Sequence, residues 1–152
     1  MNVLLISPLP PPAGGMATWT QKYLESSKSV DIRIFLVNTA LTGKRVNQIK
    51  KRSYFHELKR TQNILSQLKK VMRCNRIDVV HLNCAVGRFG SIMKDYLLAM
   101  TVKKYEVRLI SHFHCDVADM ADSKTDQFFF RRLVDLSDAV LTMNESSKNF
   151  IY

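Results

Sequence analysis

The chain has 152 residues, of which 46% are hydrophobic and 24% charged; this balance excludes a wholly disordered protein and suffices for one domain with its own core. No apolar run approaches the ~18–20 residues of a membrane span, and the opening Met1-Asn2-Val3-Leu4 lacks a basic leader region, so no signal peptide is expected. Net charge is +10, and one segment holds it all: from Lys44 to Arg76 eleven basic residues meet one acidic residue, Glu57.

In chain order, residues 2–7 read as a short, fully apolar strand. It runs into Pro8-Leu9-Pro10-Pro11-Pro12-Ala13-Gly14-Gly15, where missing N–H donors forbid helix or central strand. Helical character resumes over 16–27. A second strand covers 30–37, first alternating and then apolar, and 39–47 is a polar loop. A long helix over 54–74 carries Tyr54, Leu58, Leu65, Leu68 and Met72 on one face, with Thr61 filling the remaining slot. Residues 77–82 form a third strand, 83–90 a loop, 91–104 a helix and 107–112 a fourth strand. A helix over 128–136, a fifth strand over 139–142 and a helix beginning at Glu145 complete the pattern. The chain stops inside that helix, at Phe150-Ile151-Tyr152, as a cut chain or the first part of a longer one would.

Apolar strands alternating with helices demand parallel pairing through right-handed crossovers, with both sheet faces covered. The expected fold is a doubly wound, Rossmann-like α/β domain spanning 1–152, of strand order 3-2-1-4-5. Ligands in such sheets bind beyond the carboxyl ends of the strands. The candidate site residues gather there: Gly14, Gly15 and Met16 after strand one, Asn83 after strand three, His112, His114 and Asp116 after strand four, and Asn144 and Glu145 after strand five.

Gly14-Gly15 either lets backbone N–H groups approach an anion or serves as a turn needing φ > 0. The fingerprint glycines of nicotinamide enzymes and the P-loop are absent. His112 and His114, two apart on an extended segment, point to the same side. Two imidazoles fall short of the three or four ligands zinc needs, and although Asp116 could be a third, nothing in the spacing requires it; hydrogen bonding at a cleft is the better reading, with a structural histidine the alternative. His81 is expected to be partly buried and structural, Cys115 a small filler, and Met93, Met100, Met120 and Met143 core residues. Three cysteines, Cys74, Cys84 and Cys115, point to a reducing, cytoplasmic compartment. The basic run is either a solvated helix face or a membrane-surface patch, with Lys50, Lys51, Arg52, Lys59 and Arg60 bunched beside Tyr54 and Phe55.

Four stretches carry a family resemblance in the right order. They are Pro11-Pro12-Ala13-Gly14-Gly15-Met16-Ala17, Asp78-Val79-Val80-His81, His112-Phe113-His114, and Leu136-Ser137-Asp138-Ala139-Val140-Leu141-Thr142-Met143-Asn144-Glu145. With these, the chain resembles the N-terminal half of a GT-B glycosyltransferase of family 4. The resemblance implies two Rossmann-like domains across a cleft, this one taking the acceptor and the other holding most of the nucleotide-sugar. It implies transfer with retention of configuration and no metal or other cofactor. It places the glycine loop (Gly14, Gly15, Met16) near the donor phosphates or the acceptor, and His114 near the transferred sugar as the catalytic residue. Asn83, His112, Asp116, Asn144 and Glu145 would line the acceptor cleft. The acceptor would be a polysaccharide or lipid-linked glycan, with the protein peripheral on the inner face of the cell membrane, and this part alone inactive. The chain departs from the family pattern at Cys115, where relatives carry glycine, at Asn83, where they carry histidine, and at Asn144, where serine is usual.

Two rival classes fit parts of the sequence. A nucleic-acid-binding domain suits a pI of 9.7, but no helix-turn-helix, zinc or RNP signature is present and the aromatics are not interleaved with the basic run, so no nucleic-acid partner is expected. Another nucleotide-binding α/β enzyme suits the element pattern but lacks the fingerprint glycines.

Overall fold

A computed structural model describes residues 1–11, 13–27, 31–40, 54–85, 89–117 and 123–151. Its strands are β1 (Asn2–Ser7), β2 (Arg33–Asn38), β3 (Val79–Cys84), β4 (Arg108–Phe113) and β5 (Ala139–Thr142). The helices are α1 (Gly15–Ser26), α2 (Tyr54–Cys74), α3 (Phe89–Lys103), α4 (Lys124–Leu136) and α5 (Glu145–Ile151). The strands make a five-stranded parallel sheet flanked by helices, the expected Rossmann-like α/β class. Its order is β2-β1-β3-β4-β5, which corrects the expected 3-2-1-4-5. Apolar runs dictate parallel pairing, but β1 and β3 are about equally apolar and nothing local tells β3 on which side of the earlier pair to add. The observed order is the other common one for doubly wound sheets.

The chain divides into two compact units, Met1–Ile77 and Asp78–Tyr152. In the first unit, β1 supplies the core: Val3, Leu4, Leu5 and Ile6 are all at most 3% exposed. Burying each such side chain is worth roughly 1.5–3 kcal/mol. The strand ends at Ser7, whose buried hydroxyl lies 2.5 Å from Thr20 Oγ1 on α1. Thr20 in turn donates to the Met16 carbonyl at 2.8 Å. At the end of β2, the side-chain carbonyl of Asn38 accepts from Leu9 N at 3.0 Å and from Ala40 N at 2.9 Å.

Helix α2 packs on β2 through Ile64, Leu68 and Met72, one row at four-residue spacing. This corrects the expected face at one end: Leu58 is 52% exposed, and Ile64, left off that face, is buried. Arg60 explains the shift. Its guanidinium turns inward, donating to the Thr39 carbonyl at 2.5 Å and to the Glu57 carboxylate at 2.9 Å. That side of the first turns is therefore polar.

The second unit has an aromatic core. Phe113 of β4 and Phe130 of α4 are both buried with ring centroids 5.1 Å apart, and Phe150 of α5 packs on Phe130 at 5.7 Å. Helix α4 starts four residues earlier than expected because Ser123 caps it. Its hydroxyl oxygen accepts from Asp126 N at 3.0 Å, and Asp126 receives the hydroxyl proton in return. Helix α3 ends in a turn in which Glu106 takes φ 55, the left-handed region. Asp138 then closes β4 against β5: its carboxylate accepts from Lys103 Nζ at 2.9 Å and from Leu109 N at 2.7 Å. Two of the expected core methionines are corrected. Met100 (38% exposed) faces away from the buried Leu98, Ala99 and Val102 of α3, and Met143 (63% exposed) follows the edge strand β5. Met120 lies outside the described residues. Among the described residues, no helix is long and apolar enough to cross a membrane.

Candidate functional site

In the second unit, three histidines lie in a row from the middle of β3 to just past the end of β4, with neighbouring rings in contact. His81 sits mid-strand in β3, one position before the partner of Ser111 in the ladder. Its Nε2 lies 3.2 Å from His112 Nδ1, so one nitrogen carries the proton and the other accepts it. His112 and His114 are two residues apart on an extended segment, as expected for side chains on one side, and their ring centroids are 3.9 Å apart. His81 and His112 are buried, and His114 is half-buried at the outer end.

The electrostatics follow from that burial. Loss of solvent holds His81 down to about 4, with His114 adding to the effect. Burial likewise holds His112 to about 4, helped by His114 and then His81. Burial also lowers His114. All three rings are therefore neutral at pH 7, each with one donor and one acceptor nitrogen. A column of neutral imidazoles suits hydroxyl groups better than phosphates, since it offers directed hydrogen bonds without positive charge. Among the described residues, no group of three or more His, Cys, Asp or Glu is arranged to hold a metal ion.

Beyond His114, a second polar network joins the end of β4 to the start of α5. Asp116 accepts from Asn144 Nδ2 at 2.7 Å and from Ser147 Oγ at 3.4 Å. Asn144 caps α5, its side-chain oxygen accepting from Ser147 N at 2.9 Å. The buried Ser147 hydroxyl also accepts from Val117 N at 2.9 Å. Glu145 is the exposed first residue of the helix. The structure thus brings Asp116 and Asn144 into one hydrogen-bonded group and His112 and His114 into another. Asn83 is buried opposite His112 in the ladder.

Three residues of this region escaped the sequence reading. Ser147 had a signal, the Asn144-x-x-Ser147 spacing of a helix cap. Lys94 and Asp95 had none, because a Lys-Asp pair in a helix reads as solvated. Both are buried and paired at 3.0 Å, and Asp95 also accepts from Ala85 N at 2.9 Å. Neighbouring Cys84 is fully enclosed; burial, and then Asp95, push its thiol well above the usual range, leaving it unreactive.

In the first unit, Gly14 and Gly15 are exposed at the start of α1, and Met16 is half-buried. Gly14 is extended (φ −177) and its carbonyl accepts from Thr18 N at 2.9 Å. The turn reading, with glycine needed for φ > 0, is therefore corrected for Gly14. A Cβ at either glycine would meet nothing within 4 Å, so no neighbouring backbone or side chain demands glycine here. Of the expected basic patch, Lys59 is exposed and Arg60 is turned inward, while Lys50, Lys51 and Arg52 lie outside the described residues.

No protein-family model matches the chain, and no curated protein matches its sequence. Among solved structures it is similar to a conserved protein from Enterococcus faecalis V583, at 10% identity and a TM-score of 0.45, over 99% of this chain and 95% of that one.

Proposed function

We propose that this chain is the acceptor-binding part of a retaining glycosyltransferase, one that moves a sugar from a nucleotide-sugar to a polysaccharide or lipid-linked glycan. The histidine column of the second unit is the observation that supports it best. His81, His112 and His114 form a row of neutral hydrogen-bonding rings that runs from the middle of β3 to the carboxyl end of β4, the side on which ligands of such sheets bind. In this proposal His114, half-buried at the outer end of the row, hydrogen-bonds a hydroxyl of the transferred sugar as charge develops at the reacting carbon. His112 holds the His114 ring by a tilted ring contact, and His81 fixes His112 through the shared proton. The open space beside Gly14 and Gly15 suits close approach of a ligand to the α1 backbone. Most of the nucleotide-sugar would be held by a second domain, no metal would be needed, and the acceptor would be met at the inner face of a membrane.

The test is a transfer assay of the whole enzyme against a panel of UDP- and GDP-sugars with membrane-extracted glycan acceptors. Product that retains the donor's anomeric configuration is expected. Inverted product, or no transfer from any nucleotide-sugar while the protein stays folded, would remove the proposal.

A further inference from the structure

The outward face of α2 is basic. At 3.6 residues per turn, Phe55, Lys59, Gln62, Ser66, Lys69, Lys70 and Arg73 fall on one side of the helix, opposite the buried row Ile64, Leu68 and Met72. All seven are exposed. Four of them are cations, and the helix's single carboxylate, Glu57, is already paired with Arg60. At the amino-terminal end stand two large apolar side chains with no cover, Phe55 at 82% and Leu58 at 52% exposure.

We infer that this face of α2 docks the first unit on an anionic lipid surface, with Phe55 and Leu58 entering the headgroup layer and Lys59, Lys69, Lys70 and Arg73 lying against the charged lipids. Charge complementarity supplies the attraction, since four cations on one plane stand without a carboxylate among them. The placement of the apolar groups selects lipid over nucleic acid. A nucleic-acid groove wants aromatics interleaved with cations so that bases can stack. Here the apolar residues cluster at one end, as in an interfacial helix that buries a patch. This surface differs from the one charge bunching alone suggests, because Arg60 is spent inside the unit and the cations of the last turns take its place. It deepens the membrane side of the proposed function, and the two are tested apart: lipid binding can fail while sugar transfer is found, and the reverse.

Co-sedimentation of the protein with phosphatidylcholine vesicles, with and without phosphatidylglycerol, tests it. Binding is expected only when the anionic lipid is present, and it should weaken as salt shortens the Debye length to ~8 Å and below. Replacing Lys59, Lys69, Lys70 and Arg73 by Gln should cut the affinity about a hundredfold or more, at roughly fivefold for each cation removed. The smaller variant Lys69→Gln/Lys70→Gln guards against misfolding and should lose at least about tenfold on the same scale. Phe55→Ser should weaken binding severalfold without changing its salt dependence. Equal binding to neutral vesicles, undiminished binding by the folded variants, or tighter binding to RNA or DNA than to anionic vesicles at the same salt would each overturn the inference.

Discussion

His81 Nε2 and His112 Nδ1 stand 3.2 Å apart across two neighbouring strands, and both imidazoles are held to about 4 by burial. Their proton can be shared only while at least one ring is neutral. In the unfolded chain both titrate near 6.5. As pH falls below 6.5 the unfolded state takes up protons that the folded state refuses, so stability is fully present above 6.5 and declines towards 4. The expected slope is up to ~1.4 kcal/mol per pH unit for each histidine. Urea unfolding at several pH values in this window checks it. His81→Phe should flatten the slope relative to the native chain, which separates the histidine contribution from that of the carboxylates.

If the proposed function holds, removing the outermost ring of the row should affect chemistry more than folding. Under the glycosyltransferase proposal, His114→Ala is expected to lower kcat by ~10²–10⁴ while lowering the melting temperature less than His112→Ala does. His112→Ala is the contrast. It empties a buried position and leaves His81 without its partner, so it should cost about 1–3 kcal/mol of stability. Native turnover in His114→Ala would make the residue structural.

Gly15→Ala should leave the fold intact or stabilise it by up to ~1 kcal/mol, because a Cβ there meets nothing within 4 Å and alanine is the better helix former. If a ligand approaches this backbone, turnover should nonetheless fall, and Gly15→Val should lower it further. Parallel measurement of melting temperature and kcat/KM separates the two effects; unchanged kinetics in both variants would return the loop to a plain connection.

Much of this was legible in the sequence. The bounds of β1, α2 and β5 follow from their hydrophobic patterns, because each is set off by prolines, polar runs or a helix end. The His112/His114 alignment follows from the two-residue repeat of an extended chain. What could not be read depends on contacts distant along the chain. Strand order is one example. Another is the inward turn of Arg60, whose partner Thr39 is far back in the sequence. The part of His81 in the column is a third: its neighbour His112 lies one strand over, and a lone histidine at a strand carries no mark of a second beside it.

Glu106 occupies the left-handed region at φ 55 with a side chain that disfavours it. Glu106→Gly should therefore stabilise the protein by about 0.5–1 kcal/mol, the relieved backbone strain outweighing the added freedom of the unfolded chain. The β-branched Glu106→Val should instead destabilise it. Thermal denaturation of the two variants beside the native chain gives the comparison, and a melting temperature lowered by glycine would contradict it.

The Asn38 side-chain oxygen has consequences for how the first unit moves. One atom accepts from Leu9 N in the proline loop and from Ala40 N beyond β2, so two connections 31 residues apart in sequence share a single anchor. Anything that pulls the proline loop away, such as a ligand arriving at Gly14, must either carry the Ala40 segment along or break the bond between them. The amide protons of Leu9 and Ala40 should accordingly exchange with solvent in step. In Asn38→Ala both should exchange faster, and a disturbance at either end would then stay where it began.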